Sequence, residues 1–278
     1  MPDIKLIVSD LDGTLLDSGK RIPQKNLDAV RFAAAHGARF TICTGRPVSM
    51  AQVFVKLADV SVPIIGCNGS LVYDAAAGRV LKSESFDRET LAALTEFSLK
   101  HGLDYLAYTA DTVYHSAVSR RIEVFKAYNT YAAQQGCGPV VMEQIHDGQE
   151  LLQKDIVKIL ITELHGQDLR LMSDFLQEFP QVTCAPSMAD VLDLTPAGAC
   201  KGSAVVWLAD YLGIAMDAVC VCGDTTNDIS MMKAAGYSVC MANGTDDAKQ
   251  AAGYVTKADN NAAGFAEGIL HMWGTEWD

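Results

Sequence analysis

Asp10 and Asp12 lie two residues apart in Asp10-Leu11-Asp12-Gly13-Thr14, directly after the apolar run of residues 4–9. Such a pair suits two tasks at once. One carboxylate can attack an electrophile or hold a metal ion while its neighbour gives and takes a proton. The bland alternative is a polar strand exit in which Asp and Gly only make a turn. Three later segments add weight: Thr44-Gly45, then Lys201, then Gly223-Asp224-Thr225-Thr226-Asn227-Asp228. Singly, Thr44 reads as a helix N-cap, Lys201 as a surface lysine, Gly223-Asp224 as a turn, and Asn227 or Asp228 as the cap of the next helix. Jointly, each follows a strand or opens a helix. In open α/β sheets the carboxyl ends of the strands are where ligands bind.

The elements that must carry these residues can be read from apolar periodicity and turn residues. Residues 4–9 form a strand, and residues 15–22, with Ser18-Gly19 at their middle, suit a small hairpin. Pro23 opens a helix to Ala35, with Gly37 just past its end. Residues 38–43 are a second strand, and Pro47 fits the first turn of the helix that follows. Residues 62–66 are a third strand ending at Asn68-Gly69. The rhythm then changes. Residues 88–101 suit a helix, residues 105–115 and 156–163 have strand composition, and residues 168–179 are an amphipathic helix. From Lys201 the opening alternation returns. A helix to Leu212, a buried strand at 218–222, a helix at 228–235 and a strand at 237–241 follow. The expected fold is α/β, a Rossmann-like parallel-sheet core made of residues 1–82 and 191–278. An α+β domain, residues 83–190, is inserted into it.

Composition narrows the class. The chain has 278 residues, 49% hydrophobic and 20% charged, which is globular. Net charge is −12, so nucleic acid and anionic membranes are poor partners. A phosphorylated substrate stays possible, because a metal and a few cations can reverse the field in one pocket. No apolar run approaches the about 18 residues of a membrane span. The first residues lack a secretory pattern, so a cytoplasmic location is expected. The eight cysteines include no C-x-x-C and read as reduced core residues. Cysteine-based phosphatase chemistry would need Arg six residues after Cys, whereas Cys43 leads to Arg46 and Cys67 to Tyr73. No G-x-G-x-x-G follows the first strand, which disfavours dinucleotide binding.

The four segments, in this order and with this insertion, resemble the haloacid dehalogenase superfamily of phosphotransferases. Leu192-Asp193-Leu194-Thr195-Pro196 and Met241-Ala242-Asn243-Gly244 resemble its Cof-type subgroup. The resemblance implies that Asp10 is the nucleophile and forms an aspartyl-phosphate. It implies that Asp12 is the general acid and base, and that Mg²⁺ is held by the Asp10 carboxylate, the Asp12 carbonyl and Asp224, with Asp228 supporting from behind. Leu11, Thr44, Gly45, Lys201 and Asn227 would hold the phosphoryl group. Arg46, Asn68 and Gly69 lie at core strand ends and are candidates for touching the leaving group. In the insertion, Tyr105, Tyr108, Tyr114, His115, Arg120 and Arg121 are further candidates, with packing as the commoner fate of strand aromatics. The expected activity is hydrolysis of small soluble phosphomonoesters, sugar phosphates first, with no protein partner implied. Two rivals stand beside it: a phosphomutase built on the same core, and a receiver module that stores phosphate on Asp. Free phosphate released over many turnovers separates hydrolysis from the receiver.

Overall fold

Apolar runs bounded by turns build a five-stranded parallel sheet in the computed structural model, which describes residues 3–275. Its order is Tyr254–Val255, Tyr237–Cys240, Val219–Gly223, Leu6–Ser9, Arg39–Ile42. Every residue of Leu6–Ser9 and Val219–Gly223 is buried, as expected for parallel strands covered on both faces. Leu6, Val8, Val219 and Val221 share a core with Ala204, Val205 and Leu208 of helix Lys201–Tyr211 and with Met231 and Met232 of helix Ile229–Ala234. Elsewhere, Phe40 meets Phe265 of helix Gly264–Met272 edge to face. Each fully buried Val, Leu, Phe or Met side chain among these contributes about 1.5–3 kcal/mol.

The order of the strands places the site. Leu6–Ser9 pairs with Arg39–Ile42 on one side and with Val219–Gly223 on the other. The chain thus leaves the first strand in one direction and returns much later in the other. A crevice opens at the carboxyl ends of two strands where such a switch occurs. Asp10 extends the ladder there, its N–H donating to the Cys222 carbonyl at 2.9 Å.

The chain divides into two units. One takes the described residues of Met1–Gly45, Phe54–Leu81 and Cys200–Asp278, and the other takes Arg46–Val53 and Lys82–Ala199. The second unit therefore extends past the expected 83–190. Val191–Pro196 belongs to it because this strand pairs with Lys158–Thr162. Arg46–Val53 joins it with the Tyr128 hydroxyl donating to the Ser49 carbonyl at 3.3 Å. Its six-stranded sheet runs Val182–Met188, Val191–Pro196, Lys158–Thr162, Asp104–Tyr108, Thr112–His115, Val141–Gln144, antiparallel except for the last pair. One face carries Tyr105, Ala107, Ile159, Ile161, Leu192 and Leu194, packed with Leu91 and Leu94 of helix Arg88–Lys100 and Met172 of helix Asp168–Phe175.

Some local expectations give way. Residues 15–22 form no hairpin ladder. Instead Asp17 organises a turn, its N–H donating to the Arg21 carbonyl and its carboxylate accepting the Arg21 N–H, both at 2.9 Å. The strand composition of residues 105–115 does hold, as two antiparallel strands with Asp111 and its neighbours turning the chain between them. The helix at 168–179 is α-helical only over Asp168–Phe175 and tightens to a 3₁₀ turn at Leu176–Glu178. Among the described residues no helix is long and apolar enough to cross a membrane.

Candidate active site

The buried carboxylates Asp10, Asp224 and Asp228 meet at the carboxyl ends of Leu6–Ser9 and Val219–Gly223. Ligand atoms of all three lie within 4.8 Å of one another. Local sequence explains how Asp228 arrives. Thr225 caps the 3₁₀ turn Thr226–Asp228, and the Asp228 side chain folds back to complete the capping box. Its Oδ2 accepts the N–H groups of Asp224 (2.9 Å) and Thr225 (3.0 Å). Both oxygens of Asp228 are thus engaged, because Oδ1 accepts Lys201 Nζ at 2.6 Å.

Lys201 is no surface lysine: its side chain is 1% exposed. It starts the helix Lys201–Tyr211, where a cation opposes the helix dipole. What holds it there is the site, since Nζ also donates to Asp10 Oδ1 at 2.7 Å. Gly69 permits the approach. Its φ is +102°, and a Cβ on it would lie 2.2 Å from the Cys200 carbonyl oxygen. Gly69 therefore seats the helix that carries Lys201. Asn68, at φ 58°, accepts the Asn227 side-chain amide on Oδ1 at 3.2 Å. That same oxygen would lie 2.7 Å from a Cβ at Gly45.

Thr44 is buried at the next strand end. Its N–H donates to the Ile65 carbonyl and its own carbonyl accepts the Asn68 N–H. Leu11 buries its side chain completely and so offers the site only main chain. Asp12 stands apart from the buried group. Its partly exposed carboxylate pairs with Lys20 at 2.7 Å. Arg46 groups with the second unit, although it directly follows Gly45. The aromatic candidates there are packing residues in two cases: Tyr105 and Tyr114 lie in the apolar core, and the Tyr105 hydroxyl meets Thr95 at 2.9 Å.

Electrostatics follow from crowding. Burial pushes Asp10 up to about 8; Lys201 opposes this, and the charges of Asp228 and Asp224 reinforce it. Burial, then Asp228, pushes Asp224 up to about 7. Burial of Lys201 favours the neutral amine, but Asp10 and Asp228 outweigh it and hold its pKa above the ordinary lysine value. One ammonium among three buried carboxylates leaves negative charge unbalanced. A cation bound by oxygen donors would fit that imbalance.

Three residues of the network carried no assigned role in the sequence reading. The Thr14 hydroxyl donates to Asp224 Oδ1 at 2.9 Å. Gly13, at φ +82°, lies so close that a Cβ on it would be 2.2 Å from Asp224 Oδ2. Asn243 Nδ2 donates to the Gly13 carbonyl at 2.9 Å. The signal for Asn243 was its place in Met241-Ala242-Asn243-Gly244, again just past a strand end.

Comparison with known proteins identifies the family. The family model described as haloacid dehalogenase-like hydrolase matches residues 7–269. The 5-amino-6-(5-phospho-D-ribitylamino)uracil phosphatase YwtE of Bacillus subtilis is 28% identical, the match covering 96% of this chain and 98% of that protein. The pyridoxal phosphate phosphatase YbhA of Escherichia coli is also 28% identical, over 95% of this chain and 97% of its own. A solved haloacid dehalogenase-like hydrolase from B. subtilis superposes with a TM-score of 0.82 at 26% identity, covering 97% of this chain and 100% of that one.

Proposed function

The chain belongs to the haloacid dehalogenase-like hydrolases, and on that footing we propose that it is a Mg²⁺-dependent phosphatase of small soluble phosphomonoesters, sugar and polyol phosphates foremost. The observation that carries the reading is Lys201, buried and shared between Asp10 and Asp228 beside Asp224. The relatives support the substrate class. YwtE and YbhA are both named for small molecules that carry a phosphate. A reducing, cytoplasmic setting belongs to the same proposal and agrees with eight free thiols.

Asp10 acts as nucleophile. Lys201 holds its Oδ1 and thereby fixes the carboxylate's rotation for in-line attack on phosphorus. The new Asp10–phosphorus bond forms as the bond to the leaving oxygen breaks. Asp12, protonated from solvent once it has turned from Lys20, gives that proton to the leaving oxygen, and then takes one back from the water that cleaves the aspartyl-phosphate. Thr44, the Gly45 N–H, Asn227, the Leu11 main chain and Lys201 hold the phosphoryl oxygens. An ammonium has three donors, and the hydrogen bonds to Asp10 and Asp228 engage two. The Asp10 and Asp224 carboxylates and the Asp12 carbonyl would hold the metal, an all-oxygen set suited to Mg²⁺. Asp228, engaged on both oxygens, supports them. When bound, Mg²⁺ offsets the repulsion between carboxylate and phosphate dianion.

A panel of phosphomonoesters assayed for released phosphate tests this. Sugar and polyol phosphates should turn over repeatedly with Mg²⁺, and excess chelator should stop them. Asp12→Asn should fold and lose about 10²–10⁴-fold in kcat. Full activity in chelator would remove the metal from the proposal, and an Asp12→Asn enzyme that keeps its rate would remove the acid–base assignment.

A further inference from the structure

The loop after the acid pair has almost no ladder of its own. Asp12↔Leu16 is an isolated bridge, yet Thr14, Leu15 and Leu16 are fully buried. Buried carbonyls need donors. Asparagine side chains from elsewhere in the chain supply them. Asn243 Nδ2 donates to the Gly13 carbonyl at 2.9 Å, Asn26 Nδ2 to Leu15 at 2.9 Å, and Asn260 Nδ2 to Leu16 at 2.8 Å. Asn261 Oδ1 accepts the Ser18 N–H at 2.9 Å.

Two of these amides accept a backbone N–H at their other end, and Asn260 Oδ1 accepts Asn261 Nδ2 at 3.5 Å. Asn243 Oδ1 accepts the Asn260 N–H at 2.9 Å, and Asn26 Oδ1 accepts the Ala266 N–H at 3.2 Å. An amide that must accept on one atom and donate on the other has a single satisfactory orientation. Asn243 also places Nδ2 3.5 Å from Asp224 Oδ2, so it touches both arms of the site.

We propose that Asn243, backed by Asn260, is a positioning residue that clamps the Asp12 loop and orients Asp224. Neither residue has to touch substrate. By holding the Gly13 and Leu16 carbonyls on either side of Thr14, the pair sets the backbone from which the Asp12 carboxylate reaches the leaving oxygen. The same hold keeps the Thr14 hydroxyl on Asp224. Asparagine suits the task because each position needs a donor and an acceptor on a short, uncharged arm. The inference rests on the acid–base reading of Asp12 for its kinetic consequence only.

The test uses the full chain. Amide hydrogen exchange at Thr14, Leu15 and Leu16 is measured in the metal-free protein, and kcat and KM are measured separately with Mg²⁺. Asn243→Ala should speed exchange at those three amides at least about tenfold and lower kcat by about 10- to 100-fold, with KM changed less than about twofold. Asn243→Ser, which keeps a donor on a shorter arm, should recover part of both, and it carries the test if the alanine variant does not fold. Exchange at the wild-type rate, or an unchanged kcat, overturns the clamp. The exchange readout needs no turnover. If Asp12→Asn keeps its rate while Asn243→Ala loosens the loop, it is the proposed chemistry that fails.

Discussion

Each unit buries a lysine against aspartate, and the two arrangements differ in charge balance. In the second unit Lys158 Nζ meets Asp193 Oδ2 at 2.6 Å, both side chains are 4% exposed, and the ammonium lies 5.9 Å from the Tyr108 ring centroid. That is one positive charge for one negative. In the first unit Lys201 stands among Asp10, Asp224 and Asp228. In such a pair each charge faces an opposite one. An unbalanced cluster holds two carboxylates at raised pKa and keeps a demand for more positive charge, which a metal can meet. Burial of charge alone does not mark a site; the uncompensated remainder does.

Removing one charge from each arrangement should therefore have opposite effects on stability. The largest is expected for Asp10→Asn. Turnover should fall on the order of 10³-fold or more, while the metal-free protein keeps or gains stability, because a repelling buried charge is gone. Rates and thermal melts together check this, and a clear loss of metal-free stability would break the comparison.

Next in size is the second unit. Lys158→Met should cost about 3–5 kcal/mol, since Asp193 is left buried without its ammonium. Adding Asp193→Leu should recover most of that loss, because an apolar pair of similar volume can replace a buried ion pair. Denaturant titrations of the single and double variants decide it. A double variant as unstable as the single one would mean that Asp193 does more than balance Lys158.

The smallest effect sharpens the first. Asp10 and Asp224 are raised to about 8 and about 7 in the fold, above the about 4 of an unfolded aspartate. Their protonated forms are favoured by folding. The stability they contribute is complete below about pH 4 and is lost as the pH rises through about 7 to 8. In chelator the melting midpoint should drop across that window, and saturating Mg²⁺ should flatten the drop. A midpoint independent of pH from about 6 to about 9 in chelator would contradict the unbalanced cluster.

Much of this site is legible in short stretches of chain. The apolar strand before Asp10 and the apolar strand before Asp224 are local patterns. The spacing of Thr225 and Asp228 is that of a capping box, which makes the turn and turns Asp228 inward. Other features are not local. Residues 15–22 have hairpin composition, yet the Leu15 and Leu16 carbonyls are taken by Asn26 and Asn260, and no ladder forms. Tyr105 and Tyr114 look like possible readers of substrate, but register turns them into the apolar face of their sheet. Gly69, a strand-end candidate for substrate contact, also lacks a Cβ where the Cys200 backbone passes, a closeness the sequence does not show.

By itself, then, the sequence determined which residues end strands, where helices start, and that acids, a threonine and a lysine recur at those places. These depend on apolar runs and turn chemistry within a few residues. Only the tertiary structure decided that Lys201 is buried between Asp10, 191 positions away, and Asp228, 27 positions away. The order of strands in the sheet brings those residues together, and pairing order depends on which distant surfaces exclude water from one another. The charge balance that separates Lys201 from Lys158 arises at that level, because it counts neighbours in space.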